Sequence, residues 1–284
     1  MTSGSPPADG PELQDPPDSE HPTFDTSVAH VARIYDYWLG GKDNYAVDRA
    51  AGDAAVQAYP DLIHSVRSNR AFLARAVHYL AAEAGIRQFL DIGTGIPTAP
   101  NTHEIAQAVS AASRVVYVDN DPIVLAHARA LLTGAPEGAT DYLDADLRDT
   151  GAILDRAAQT LDFSKPVAVV LMAILHLIPD TDDPYGIVAR LAGAVPAGSY
   201  LALSQIASDI DVEAVAEARE QVGRFMPVKQ TYRSHAEVMR FFGGLEMVEP
   251  GLVPVQKWRP DSAAAAAMPS ALWGGVARKT GQHS

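Results

Sequence analysis

The chain has 284 residues, 47% of them hydrophobic, with 35 acids, 22 bases and a net charge of −13. This is enough apolar material for one large domain, and the charge disfavours a polyanion such as DNA or RNA as partner. Cysteine is absent, which excludes disulfides, thiolate catalysis and cysteine-ligated zinc.

Residues 1–24 are rich in Pro, Ser, Gly and acids and hold almost no large apolar side chain, the pattern of a disordered tail. Six acids (Asp9, Glu12, Asp15, Asp18, Glu20, Asp25) precede the first base, Arg33; without them the body carries 29 acids against 22 bases. No signal-peptide pattern and no apolar run of about 18–20 residues is found, so the expected compartment is the cytoplasm, with no membrane partner.

Val31, Ile34, Tyr35 and Trp38 recur at helical spacing, and Gly40-Gly41 ends the run. A second helix is predicted over 62–83, with Val66, Leu73, Val77 and Leu80 on one face and Gly85 beyond its end. These helices form a predicted lid over 25–84, ahead of a core over 85–284. Strand and helix then alternate. Strands are predicted over 87–92, 114–118, 141–143, 167–172 and 200–204. Helices are predicted after Asn101, after Asp121-Pro122, over 153–161, after Asp183-Pro184 and over 212–222. Asn101/Glu104 and Ser234/Glu237 form capping boxes. Strands over 245–248 and 272–278 close the chain and are expected to pair antiparallel. The fold class is α/β: a Rossmann-like, doubly wound, mostly parallel sheet with an antiparallel C-terminal strand and an N-terminal helical lid.

Four signals carry chemistry. Asp91-Ile-Gly93-Thr94-Gly95-Ile-Pro97 falls at the carboxyl end of the first strand, where open α/β sheets bind ligands. Its glycines permit a sharp turn and close backbone approach, and Asp91 offers a carboxylate to a ligand ammonium, directly or through water. Pro97 and Pro100 lack N–H groups and the next helix starts only near Asn101, so the loop suits a pyrophosphate poorly. S-adenosylmethionine (SAM) has no pyrophosphate and fits better than NAD. Asp119, at the end of the second strand, is placed to hold both ribose hydroxyls; alone it reads equally well as a loop cap. Asp121 reads as a helix N-cap. Asp146-Leu147, past the third strand, is an adenine contact or a solvated turn. Ala173 and His176 follow the central strand; His176 is a candidate general base, or a packing residue that orders its loop. The remaining histidines are scattered singly, most on expected helix surfaces, and no His/Asp/Glu spacing suggests a metal.

Together these signals resemble class I SAM-dependent methyltransferases. A longer resemblance runs from Ala32 to Lys279, to the actinobacterial S-adenosyl methyltransferase family, formerly a domain of unknown function. It rests on Ala32-Arg-Ile-Tyr35-Asp36-Tyr-Trp-Leu-Gly40-Gly41-Lys42-Asp43-Asn44, Asn69-Arg70-Ala-Phe72-Leu, Gln88-Phe-Leu-Asp91-Ile-Gly93-Thr-Gly95-Ile-Pro97-Thr98, Tyr117-Val-Asp119-Asn120-Asp121-Pro122 and Trp258-Arg259-Pro260. It implies SAM as cofactor and methyl transfer to a small molecule whose identity it does not give. Tyr35, Asp36 and Arg70 would belong to a lid shaping the acceptor site, although Arg70 reads as readily as a surface ion pair. A SAM-binding regulator without turnover and an NAD-dependent oxidoreductase are the competing readings; the latter expects a G-x-G-x-x-G loop that opens a helix, which Gly93–Thr98 does not supply.

Overall fold

The computed structural model describes residues 26–131, 137–225 and 229–281; the acidic segment 1–24 lies outside them. Its centre is a sheet of order β3-β2-β1-β4-β5-β8-β6. Strands β1 (Gln88–Ile92), β2 (Arg114–Asp119), β3 (Ala139–Asp144), β4 (Ala168–Met172) and β5 (Tyr200–Ile206) run parallel. Strand β8 (Leu272–Arg278) is antiparallel to β5 on one side and to β6 (Glu246–Met247) on the other, as expected for the closing strands. A two-residue strand, β7 (Val253–Pro254), also pairs with β8. The sequence reading omits it, since a proline-containing pair at a sheet margin leaves no alternation to detect.

The apolar run of β4 is buried on both faces. Val169 and Leu171 enter one core and Ala168 and Val170 the other, because successive side chains alternate across a strand. The first core is closed by α6 (Thr150–Ala157) and α7 (Pro184–Ala194), through Ile153, Ile187 and Leu191. The second is closed by α3 (Leu62–Ala82) and α4 (Thr102–Val109), through Phe72, Val77, Leu80 and Ala106. Thus α3, grouped with the lid by sequence, packs against the sheet.

A third cluster sits above the carboxyl edge. It joins α1 (Val31–Leu39), α2 (Ala46–Ala58) and α8 (Val212–Gly223) through Ile34, Ala51, Ala55, Val215, Ala218 and Val222. The sequence reading has no helix at α2. Its contact face is made of alanines and Gly52, too small to register as an apolar stripe. That smallness is what the packing needs: a Cβ at Gly52 would stand 2.8 Å from Tyr37 Cδ1. Trp38 Nε1 also donates to the Gly52 carbonyl at 3.2 Å. Both capping boxes form, at the starts of α4 and of α9 (His235–Met239). Asp121 caps α5 (Pro122–Leu131) by accepting from Ile123 N at 2.8 Å.

Candidate functional site

The chain leaves β1 through Gly93 (φ +75°) and Gly95 (φ +64°), both in the left-handed region that a side chain disfavours. Gly93 N donates to Val118 O at 2.8 Å, and a Cβ there would lie 2.5 Å from Ile174 Cγ1. Gly95 N donates to Asp119 Oδ2 at 2.9 Å, while Asp119 Oδ1 accepts from Asp121 N at 3.0 Å. Asp119 therefore joins the glycine loop to the head of α5, with the Asn120 N–H as a further backbone donor. Burial pushes its carboxyl above the usual range. Thr94 Oγ1 and Tyr142 Oη lie 2.9 Å apart.

Asp91 is 6% exposed and accepts from Thr102 Oγ1 at 2.6 Å. Burial pushes its carboxyl up to about 6, against the lowering effects of the Thr102 hydrogen bond and the Arg70 charge. Arg70 donates to the carbonyls of Thr98 and Pro100, so it ties down the loop after Gly95; this contrasts with its reading as a surface ion pair. Asn120 Nδ2 donates to Asp146 Oδ2 at 3.1 Å, and Asp146 in turn pairs with Arg148 at 3.0 Å. Leu147 is buried in the first core.

Ala173 follows β4 at φ +49°, a strained position for a residue with a side chain. Its N–H is shared between Ser204 O (3.1 Å) and Ser204 Oγ (3.0 Å). Ser204 Oγ donates to Asn69 Oδ1 at 2.6 Å, and Asn69 Nδ2 donates to Tyr35 Oη at 3.0 Å. This relay links the end of the central strand, through β5 and α3, to α1.

His176 is 4% exposed, and its Nδ1 has no partner among the described residues. Burial, with Arg233 nearby, pushes the imidazole down to about 3, so it is neutral near pH 7. Arg233 is itself buried. It donates to Leu175 O and Ile178 O at 2.8 Å each and pairs with Asp180 at 2.7 Å, fixing the loop after β4.

One cavity of about 410 Å³ brings these groups together, and every site residue named from sequence, from Tyr35 and Arg70 to Ala173 and His176, lines it. It follows the carboxyl edge of the sheet from Asp146 past β3 to Leu272 at the start of β8, roofed by α1, α2 and α8.

The sequence profile of the S-adenosyl methyltransferase family matches residues 17–280. The chain belongs to that family. It is a SAM-dependent methyltransferase, and SAM is its cofactor. A DUF574 family protein from Streptomyces avermitilis is 51% identical, with a TM-score of 0.87, over 90% of this chain and 99% of that one. A candidate methyltransferase from Thermobifida fusca is 39% identical, with a TM-score of 0.83, over 90% of this chain and 97% of that one. No curated protein matches the chain.

Around the methyltransferase site the structure also shows contacts of residues that sequence reasoning passed over. Ser204 was visible only as a strand end without a nucleophile-elbow motif. Asn69 stood in a matched segment with no role, and nothing pointed to Arg233. His103, expected on a helix surface, is buried with Nδ1 2.8 Å from Tyr117 Oη. His30 forms an ion-pair contact with Asp121 Oδ2 at 2.8 Å. Among the described residues, no three His, Asp or Glu gather as metal ligands, and no helix is long and apolar enough to cross a membrane.

Proposed function

We propose that this methyltransferase acts on a small-molecule acceptor in the cytoplasm, with the cofactor at the β1-β2-β3 end of the cavity and the acceptor at the β4-β5-β8 end. The observation that carries this reading is the continuity of the cavity: it joins a polar, backbone-tied end to a largely apolar end across Ala173. The glycine loop fits SAM because its backbone lies open beside two carboxylates. At Gly95 a Cβ would meet nothing within 4 Å, so the loop leaves room for a ligand there.

In this reading Asp119 takes the ribose hydroxyls, Asp91 faces the ammonium, and Asn120, Asp146 and Leu147 border the adenine. Gly93, Thr94, Gly95 and Ala173 shape the methionine path, while Tyr35 and Arg70 close it from α1 and α3. When bound, SAM supplies an electrophilic methyl on a sulfonium. The chain's part is to hold the acceptor atom about 3–3.5 Å from that carbon and to exclude water, which lowers the barrier by proximity. His176 is neutral at pH 7, and the burial that lowers its pKa to about 3 makes it a weak base, which favours the packing reading over that of a general base. The net negative charge speaks against a nucleic-acid acceptor.

Thermal melts with SAM, S-adenosylhomocysteine (SAH), NAD and NADP test this. A ligand at about 100 times its Kd adds ~2.7 kcal/mol of stability. SAM and SAH are expected to raise the melting temperature, and the nicotinamide cofactors to leave it unmoved. Stabilisation by NAD but not by SAM would overturn the cofactor assignment.

A further inference from the structure

The two ends of the cavity differ in charge. Arg70, Asp91, Asp119, Asp146 and Arg148 line it around the glycine loop and the ends of β2 and β3. Asp36, a further charged lining residue, is engaged by Asp43 N at 2.9 Å and Asn44 Nδ2 at 3.0 Å. At the other end, the walls are Ile206 and Leu272 from the sheet, Val66 from α3, and Val215, Ala218 and Val222 from α8. Polar atoms there are few and uncharged. Tyr232 Oη donates to Gln230 Oε1 at 2.6 Å, Ser65 Oγ receives Ala271 N at 3.1 Å, and the His176 imidazole is neutral. Three charges on neighbouring segments have partners and do not line the cavity: Asp211 accepts from Tyr59 Oη at 3.2 Å, Arg233 pairs with Asp180, and Arg219 lies over the Tyr232 ring at 5.5 Å.

We infer that the acceptor is an uncharged, largely apolar molecule, such as a neutral hydroxyl compound. The inference rests on the proposed placing of cofactor and acceptor and deepens it. A carboxylate acceptor would enter a chamber with no free guanidinium or ammonium among its described lining residues. A protonated amine would find no free carboxylate. Transferring either ion from water into such a wall is strongly unfavourable, whereas a neutral hydroxyl compound gains from burial of its apolar surface. Methylation of a hydroxyl breaks its O–H bond and forms O–CH3. The S–CH3 bond breaks with its electron pair left on sulfur, and the proton of the oxygen that has gained the methyl passes to water.

The test is titration calorimetry on the full chain saturated with SAH, using naphthol, naphthoate and naphthylmethylamine, which share one ring system and differ in charge. Naphthol is expected to bind at least about tenfold more tightly than either ion. Ala218→Asp, at about pH 8, is expected to weaken naphthol by about tenfold relative to Ala218→Asn, which adds the same volume without charge, while both variants bind SAH as the parent does. Equal or tighter binding of either ion, binding of none of the three, or equal naphthol affinity in the two variants would overturn the inference. Failure of SAH itself to bind the parent would instead overturn the cofactor assignment on which it rests.

Discussion

The β1-β2-β3 end of the cavity and the β4-β5-β8 end are built by different means. At the first, the proposed cofactor groups sit on strand ends and the turns that follow them, and hydrogen bonds tie neighbouring strand ends together: Gly95 to Asp119 and Asn120 to Asp146, with Asp119 to Asp121 inside one turn. At the second, the wall is assembled from α1, α2, α3, α8 and the start of β8, segments that lie far apart in the chain. A hydrogen-bonded device of a few specific contacts tolerates little change at any one position. An assembled wall spreads its requirement over many apolar contacts and permits variation in shape.

The largest effect is expected at Gly93. Gly93→Val forces a β-branched residue to φ +75° with its Cβ against Ile174. Strain of about 2–3 kcal/mol, with displacement of the loop, lowers both the melting temperature and SAH affinity. Gly95→Ala meets open space and carries only the backbone cost of about 1 kcal/mol, so melts of the two variants separate clash from conformation.

Next comes the relay that joins the two ends. Ser204→Ala leaves Asn69 Oδ1 without its donor, and Asn69→Ala removes the acceptor of the Ser204 hydroxyl and the donor to Tyr35 Oη. Each is expected to cost about 1–3 kcal/mol in chemical denaturation, and the double variant less than the sum. Strict additivity would show that the relay does not act as a unit.

A smaller effect is a pH dependence at Asp91. Its folded pKa of about 6 lies above the ordinary 3.8, so the folded protein binds this proton more tightly. The associated stability is fully present below about pH 4 and is lost as pH rises through about 6. Asp91→Asn removes that slope in denaturation series run between about pH 4.5 and 7.5. If Asp91 faces the ligand ammonium, SAH affinity of the parent also rises through about pH 6 and that of Asp91→Asn does not. The smallest effect is expected from chelation: EDTA leaves SAH binding unchanged, and loss of binding restored by a divalent ion would contradict this.

The sequence made the fold and the cofactor end legible for the same reason. Asp91–Gly95, Asp119 and Asp121-Pro122 are contiguous signals at strand ends, and Asn101/Glu104 and Ser234/Glu237 are local caps. Helix α2 was hidden because its contacts are made by Ala51, Gly52 and Ala55, which carry no large apolar side chain. Helix α3 was assigned to the lid because its apolar face is visible in sequence but the surface it meets is not. The proposed acceptor wall was illegible throughout: α8 was read only as a helix over 212–222, and only the fold sets Val215, Ala218 and Val222 opposite Ile34 and Ala55.

The central claim is that cofactor and acceptor occupy separable ends of one cavity. Its most direct test is SAH titration calorimetry into Asp119→Ala and Ala218→Asp side by side. Asp119 is proposed to make two charge-assisted hydrogen bonds to the ribose, each worth about 1.5–3 kcal/mol, so Asp119→Ala is expected to lose at least about tenfold in SAH affinity. Ala218→Asp, at the acceptor end, is expected to match the parent. Normal binding by Asp119→Ala together with weakened binding by Ala218→Asp would contradict the division of the cavity drawn here.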